Sequence, residues 1–471
     1  YEKLFARMAL MGLDMFMIYM EDNYLVEGEP YFGYLRGRYT EQDLKTCDDI
    51  AFALGIEIIP CIQTLAHLID ALKWDCYKDI KEDDDTLLVG EEKTYRFIEK
   101  LIVTASKPFR TKRIHLGMDE AWKLGQGNYL LKNGYHSKFE IMNEHLGRVI
   151  EITKKYGLEP MIWSDMYFRA ASKNGGSYEM QCPIAPEVRE KIPEGIALVY
   201  WDYYHKNEDF YTDLLAEHKS LNRKILFAGG IWNWNSFTVD YEMTKATIDC
   251  ALNACKKEGI KEVFVTIWGD GTTECTLYAN LLGIQLFAEH GYCDHPDDQR
   301  LAARFKACCG CSYDDFSAIS SLDILPGIQM PDTNSTNSSK FLFWQDPMMG
   351  LFDKTVEHID LASHYSKLTQ RLSAACARNG EFAHVFEFLV RVSKILENKA
   401  CLGIHITQLY KNNSKEELKK YAEQTIPLLM NQIEELRKYH RNLWHILYKP
   451  FGYEVMDLRY GALIARLDSA L

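Results

Sequence analysis

Residues 113–122 read RIHLGMDEAW, an apolar run that stops at Gly117 and is followed by two adjacent carboxylates, Asp119 and Glu120. Neighbouring like charges repel, and that repulsion lifts the pKa of one of the pair towards the range of a useful acid. A purely structural role competes with this, because acidic residues also cap the first turn of a helix. The surroundings favour chemistry. Other apolar runs close in the same way, with Glu21 and Asp22, His67, Trp163 and Asp165, Trp201 to Tyr204, Trp232 and Trp234, and Trp268 and Asp270. Indole faces stack on the apolar C–H faces of pyranose rings, while carboxylates and histidine take hydroxyl groups, so these residue types suit a sugar. Two carboxyls that cleave a glycosidic bond as acid and nucleophile stand about 5 to 9 Å apart, on opposite sides of it. Adjacent residues at a strand end point in opposite directions, which fits that arrangement poorly. The pair suits a different division of labour, in which one carboxyl protonates the leaving oxygen and the other handles a group on the substrate.

The elements that must position these residues are short apolar runs separated by helical patterns. The runs are LDMFMIYM (13–20), IEIIPCI (56–62), RIHLGM (113–118), EPMIWS (159–164), IALVYW (196–201), KILFAGG (224–230) and EVFVTIWG (262–269). Helical periodicity appears near 41–54, 91–105, 137–156, 208–219, 241–258 and 276–290. Runs of this length without alternation mark strands buried on both faces of a parallel sheet. Strand-then-helix repetition leaves an open doubly wound sheet or a (β/α)8 barrel. No GxGxxG follows a strand, which weakens the dinucleotide-binding form of the open sheet. In a barrel all the polar strand ends converge on one mouth, so the barrel is expected. Seven strands are countable, and the eighth, the first of the barrel, is expected upstream of Tyr1. Beyond about residue 305 the strands stop, and helical patterns near 354–377, 381–410, 415–446 and 454–470 follow. The expected organisation is thus an α/β chain, with a TIM-type barrel over 1–305 lacking strand one and an all-α domain over 306–471.

Composition narrows the partners. Net charge is −13, and the 54 basic residues are dispersed, which argues against nucleic acid and against an anionic membrane. No apolar run reaches the roughly 18 residues that span a bilayer. Thirteen cysteines lie scattered without CxxC repeats, as expected of reduced thiols in a cytoplasmic protein. The cluster Cys308, Cys309, Cys311 has no second cluster at ligand spacing, so no metal and no cofactor is expected. Asn334, Asn337 and Asn412 fit the glycosylation pattern, which a cytoplasmic chain leaves unused.

HLGMDEAW resembles the His/Asn-x-Gly-x-Asp-Glu motif of family 20 glycoside hydrolases, the β-N-acetylhexosaminidases. The resemblance continues in EDNYLVEGEPYFGYLRGRYT, PCIQTLAHL, MIWSDM, YWDYY and TIWGDGTTEC, in order over 1–300, and is greatest to the bacterial exo-acting branch with a helical C-terminal domain. It implies Glu120 as general acid/base, with Asp119 orienting the substrate's own 2-acetamido group. That group's oxygen attacks the anomeric carbon, giving an oxazolinium intermediate and net retention. His67 resembles the family histidine near the acid. Trp163, Trp201 and Trp268 resemble the tryptophans that wall the sugar, and Asp270 stands where a glutamate often binds distal hydroxyls. Trp232-Asn233-Trp234 replaces the family's Tyr-x-Asp, so the tyrosine for the acetamide oxygen is sought at Tyr203 or Tyr204. The family's sugar-binding arginine belongs to the first strand, and Arg36 and Arg38 are better read as salt-bridging residues. The implied partners are N-acetylhexosamine-terminated oligosaccharides or glycoconjugates; a homodimer is left open, as is the choice between gluco and galacto epimers. Two other readings compete. One is a metal-dependent barrel hydrolase using His67, His115 and Asp119, although His115 lies within the apolar run as a buried residue would. The other is a carbohydrate-binding barrel without catalysis, against which the intact carboxylate pair speaks.

Overall fold

The computed structural model describes residues 1–174, 176–179, 183–269, 274–328 and 337–471; Asp270 lies outside the described residues. Seven strands form one sheet in chain order: β1 (Met15–Met20), β2 (Glu57–Ile62), β3 (Arg113–His115), β4 (Glu159–Trp163), β5 (Ala197–Trp201), β6 (Lys224–Gly230) and β7 (Val263–Thr266). Pairing is parallel, with Met15 opposite Glu57 and Met20 opposite Ile62 in the first pair. Every residue of β2 after Glu57 is buried, as a strand covered on both faces requires. The sheet curls. Arg113, which opens β3, forks to Glu57 at the start of β2 (3.2 Å) and to Glu262 just before β7 (2.5 Å). Near the other end, the Trp163 ring of β4 lies 6.0 Å from the Phe264 ring of β7. Strands far apart in the order therefore meet across the interior, and the result is a nearly closed parallel barrel with surrounding helices.

Those helices begin where local chemistry starts them. The Thr40 hydroxyl accepts from Asp43 N–H (3.0 Å) while the Asp43 carboxylate accepts from Thr40 N–H (2.9 Å), opening the helix Glu41–Ala53. Ser137 and Glu140 repeat this capping box ahead of Lys138–Lys155. The expected helix near 276–290 is a 3₁₀ turn, Leu277–Asn280, followed by Leu281–His290.

The chain divides into two compact units. One holds Tyr1–Asp202, Asn207–Gly229 and Cys250–Phe264. The other holds Tyr203–Lys206, Gly230–Asp249 and Val265–Leu471, so the segments after β5 and β6 group with the C-terminal helices. In that second unit, the helices Leu361–Arg378 and Ala383–Lys399 bury Leu368, Leu372, Phe386 and Leu389, and Ile426–Leu447 and Tyr453–Asp468 follow. The single helix read over 381–410 is interrupted at Ala400–Cys401 before Leu402–Lys411. That read over 415–446 carries a π turn at Tyr421–Thr425, next to Pro427, whose ring nitrogen has no N–H for the helical ladder. Glu274 is fully buried in this unit, accepting from Trp344 Nε1 (3.0 Å) and Arg459 (3.1 Å) and pairing with Lys340 (2.7 Å). Among the described residues, no helix is long and apolar enough to cross a membrane.

Candidate active site

The apolar run expected over 113–118 is strand only to His115, because the backbone then turns left-handed. Gly117 has φ +70, Met118 +71 and Glu120 +52. Such angles are strained for residues with a side chain and recur at functional sites. At Gly117 a Cβ would lie 2.0 Å from Gln63 Oε1 and 2.7 Å from the Ile62 carbonyl, so only glycine fits. Gly117 N–H donates to His115 Nδ1 (3.0 Å), and its carbonyl accepts from Trp163 N–H (3.1 Å). The turn corrects one expectation. Asp119 and Glu120 do not point in opposite directions, because positive φ on either side of Asp119 abolishes strand alternation. Both face one atom, His67 Nε2, at 3.2 and 3.6 Å.

Their neighbours then set them apart. Asp119 Oδ1 accepts from Gln63 Nε2 at 2.9 Å. Burial opposes its ionisation, but the charge and hydrogen bond of His67 and the Gln63 amide hold its pKa below the ordinary carboxylate value. For Glu120, burial and the adjacent Asp119 and Asp165 push the pKa up to about 7, against the pull of Arg169 and His67. Burial alone would lower the His67 pKa; Asp119 and Glu120 outweigh it and raise it to about 10. At neutral pH the cluster therefore holds an imidazolium, a firm carboxylate and a carboxyl poised to exchange a proton.

A second layer fixes Glu120. Arg169, nearly buried, donates from Nη2 to Glu120 Oε1 (3.0 Å) and from Nε to Asp165 Oδ2 (2.8 Å), one turn away on the helix Asp165–Ala171. Asp165 also accepts from Glu120 N–H (3.1 Å) and Trp201 Nε1 (3.3 Å). The guanidinium of Arg169 stacks 3.8 Å from the centre of the Trp122 ring. On the β1 side, Gln63 Nε2 donates to Tyr19 OH (3.1 Å), which donates to Glu21 Oε1 (3.2 Å). Burial lifts the Glu21 pKa to about 7 despite Arg36 and His67. Arg36 spans Glu21 (3.7 Å), Asp22 (3.2 Å) and Asp70 (2.6 Å), and Arg38 donates to the carbonyls of Pro30 and Phe32.

The residues singled out in the sequence fall into two groups. His67, Asp119, Glu120, Trp163 and Trp201 belong to the first compact unit. Trp163 and Trp201 are both buried, Trp163 packing 4.3 Å from the His115 ring. His115 is itself buried, which pushes its pKa down to about 3 and keeps it neutral. The ligand set His67, His115, Asp119 is therefore not assembled. Among the described residues, the donor atoms that gather within 4.8 Å are those of His67, Asp119 and Glu120. Tyr203, Trp232 and Trp268 belong to the second unit, where they form one aromatic cluster. Tyr203 OH accepts from Trp268 Nε1 (3.1 Å) and its carbonyl from Trp232 Nε1 (2.6 Å). Sequence reasoning missed Gln63, Arg169 and Trp122. The signal for Arg169 was its i+4 spacing from Asp165, which places both on one helix face.

Residues 27–268, more than half of the chain, match the family described as glycosyl hydrolase family 20, catalytic domain, and residues 314–471 match the Glycoside Hydrolase 20C C-terminal domain. The chain belongs to glycosyl hydrolase family 20. It is 23% identical to human (Homo sapiens) hexosaminidase D over 211 residues, which are 43% of this chain and 41% of that protein. To the Bos taurus hexosaminidase D it is 22% identical over 210 residues, 43% of this chain and 57% of that one. The match thus spans about half the length of these relatives. The crystal structure of a Flavobacterium johnsoniae chitobiase superposes with a TM-score of 0.50 at 14% identity, covering 92% of this chain and 72% of that one, so the two share a fold.

Proposed function

We propose that this protein is an exo-acting, retaining β-N-acetylhexosaminidase that removes terminal N-acetylglucosamine or N-acetylgalactosamine from glycans by substrate-assisted catalysis. The observation that carries the reading is the asymmetric carboxylate pair, with Asp119 held ionised and Glu120 raised to about 7 on one histidine. Glu120 donates its proton to the glycosidic oxygen as the C1–O bond breaks. The substrate's acetamide oxygen forms the new bond to C1, and the Asp119 carboxylate takes the hydrogen bond of the acetamide N–H, which becomes positively charged in the oxazolinium. Water then attacks C1 from the face the leaving group vacated, giving its proton to the Glu120 carboxylate, and the configuration is retained. Family 20 enzymes are a documented exception to the scheme of two enzymic carboxyls. In this reading His67 keeps the pair ordered, and Trp163, Trp201, Tyr203, Trp232, Trp268 and Asp270 bind the sugar. The catalytic part is the region 1–305, with 306–471 as its helical companion, and the protein works in the cytoplasm.

The test compares nitrophenyl N-acetyl-β-hexosaminides of both epimers with the plain nitrophenyl β-glucoside. Turnover of the acetamido substrates alone is expected, because the plain glycoside lacks the internal nucleophile. Efficient cleavage of the plain glycoside would overturn the assignment.

A further inference from the structure

Trp122 is an exposed tryptophan two residues from the acid. It is 55% exposed, although large aromatic side chains ordinarily bury most of their surface. It is not loose. Its N–H donates to the Glu120 carbonyl (2.6 Å), its carbonyl accepts from Lys138 Nζ (2.8 Å), and one ring face lies 3.8 Å from the Arg169 guanidinium. That contact is a cation–π pair with the arginine that holds Glu120. With Arg169 set over one face of a ring that is still largely exposed, the surface open to solvent is that of the opposite face.

Side-chain exposure also rises along this stretch, from 14% at Asp119 to 31% at Glu120. An exo-acting enzyme holds the terminal sugar inside and lets the rest of the substrate leave towards solvent. The general acid meets the bridging oxygen, so the next residue of the substrate lies beside whatever flanks Glu120 on its solvent side. We infer that the outward face of Trp122 is the platform on which the leaving group's sugar, or another flat apolar aglycone, stacks. This rests on the hexosaminidase reading above and adds a determinant of what is cleaved from the terminal sugar. Trp122 touches the leaving part of the substrate and, through Arg169, positions the acid.

The experiment uses wild type, Trp122→Ala and Trp122→Phe. Each is given a β-1,4-linked N-acetylglucosamine disaccharide and methyl N-acetyl-β-glucosaminide, and each binds the non-hydrolysable sulfur-linked disaccharide and free N-acetylglucosamine in calorimetry. The ratio of kcat/KM for disaccharide over methyl glycoside is expected to fall about tenfold in Trp122→Ala, the size of one lost stacking contact, and to recover in Trp122→Phe. The sulfur-linked disaccharide should lose affinity by a similar factor while free N-acetylglucosamine does not. Equal losses on both substrates, with a displaced pH profile and unchanged disaccharide affinity, would reduce Trp122 to a support for Arg169 and overturn the proposal. Absence of turnover by wild type on either substrate would instead sink the hexosaminidase reading, and the calorimetry would still decide the role of Trp122.

Discussion

Two carboxyls that share one imidazole behave differently because of groups remote in sequence. Gln63, which helps to hold Asp119 ionised, and Asp165, which helps to raise Glu120, lie 56 and 45 positions from their partners. That is why the pair itself was legible in RIHLGMDEAW and its asymmetry was not: the motif names the acids, and the fold chooses their neighbours. The pH dependence follows from the shifts. The mechanism proposed above uses Glu120 in its protonated form, so kcat/KM on a disaccharide should fall as pH rises through about 7. The same proposal uses Asp119 in its ionised form, so the acid limb should lie below the ordinary carboxylate range. His67, raised to about 10, stays charged across this window and adds no limb near neutrality. A kinetic pH profile checks all three, and an alkaline limb that persists in Glu120→Gln would remove Glu120 from the role of acid. General acid catalysis is typically worth about 10²–10⁴-fold, so Glu120→Gln should lose that much on the disaccharide and far less on a nitrophenyl substrate, whose leaving group needs no proton. Asp119→Asn should impair both substrates alike.

At the scale of elements, the apolar runs predicted all seven strands in order, and the capping boxes fell where Ser/Thr and an acid stand three apart. β3 proved shorter than its apolar run, because burial alone cannot distinguish a strand from a buried left-handed turn. The turn is the feature that matters. Gly117→Ala would place a methyl 2.0 Å from Gln63 Oε1 at a left-handed φ. We expect a loss of about 1–3 kcal/mol in stability, and a loss of activity of about 10²-fold, since displacing a catalytic group by ~1 Å is enough. Gly147 offers the contrast. It lies inside the helix Lys138–Lys155, and an added Cβ there meets nothing within 4 Å. Gly147→Ala should raise stability by roughly 0.5–1 kcal/mol. Thermal unfolding and kinetics on the two variants test the pair of statements, and a Gly117→Ala enzyme of normal activity would show that the turn does not set the geometry of the acids.

At the scale of the whole molecule, the helical region was readable from its periodicity, whereas its grouping with the segments after β5 and β6 was not, since no sequence pattern marks it. Within that second unit Glu274 is a fully buried carboxylate facing Lys340, Arg459 and Trp344. Removing one partner of a buried charge cluster costs about 3–5 kcal/mol, so Glu274→Ala should markedly lower the melting temperature in calorimetry. An unchanged melting temperature would mean that water replaces the carboxylate without penalty. The division into units also orders events during synthesis. Domains generally fold as units, and the unit that carries Asp119, Glu120 and Arg169 is complete once Phe264 has been added to the chain. Tyr203 and Trp232 emerge before that point, but the unit they belong to extends to Leu471. A nascent chain thus has every residue of the unit that holds Asp119 and Glu120 well before it has every residue of the unit that holds the cluster of Tyr203, Trp232 and Trp268.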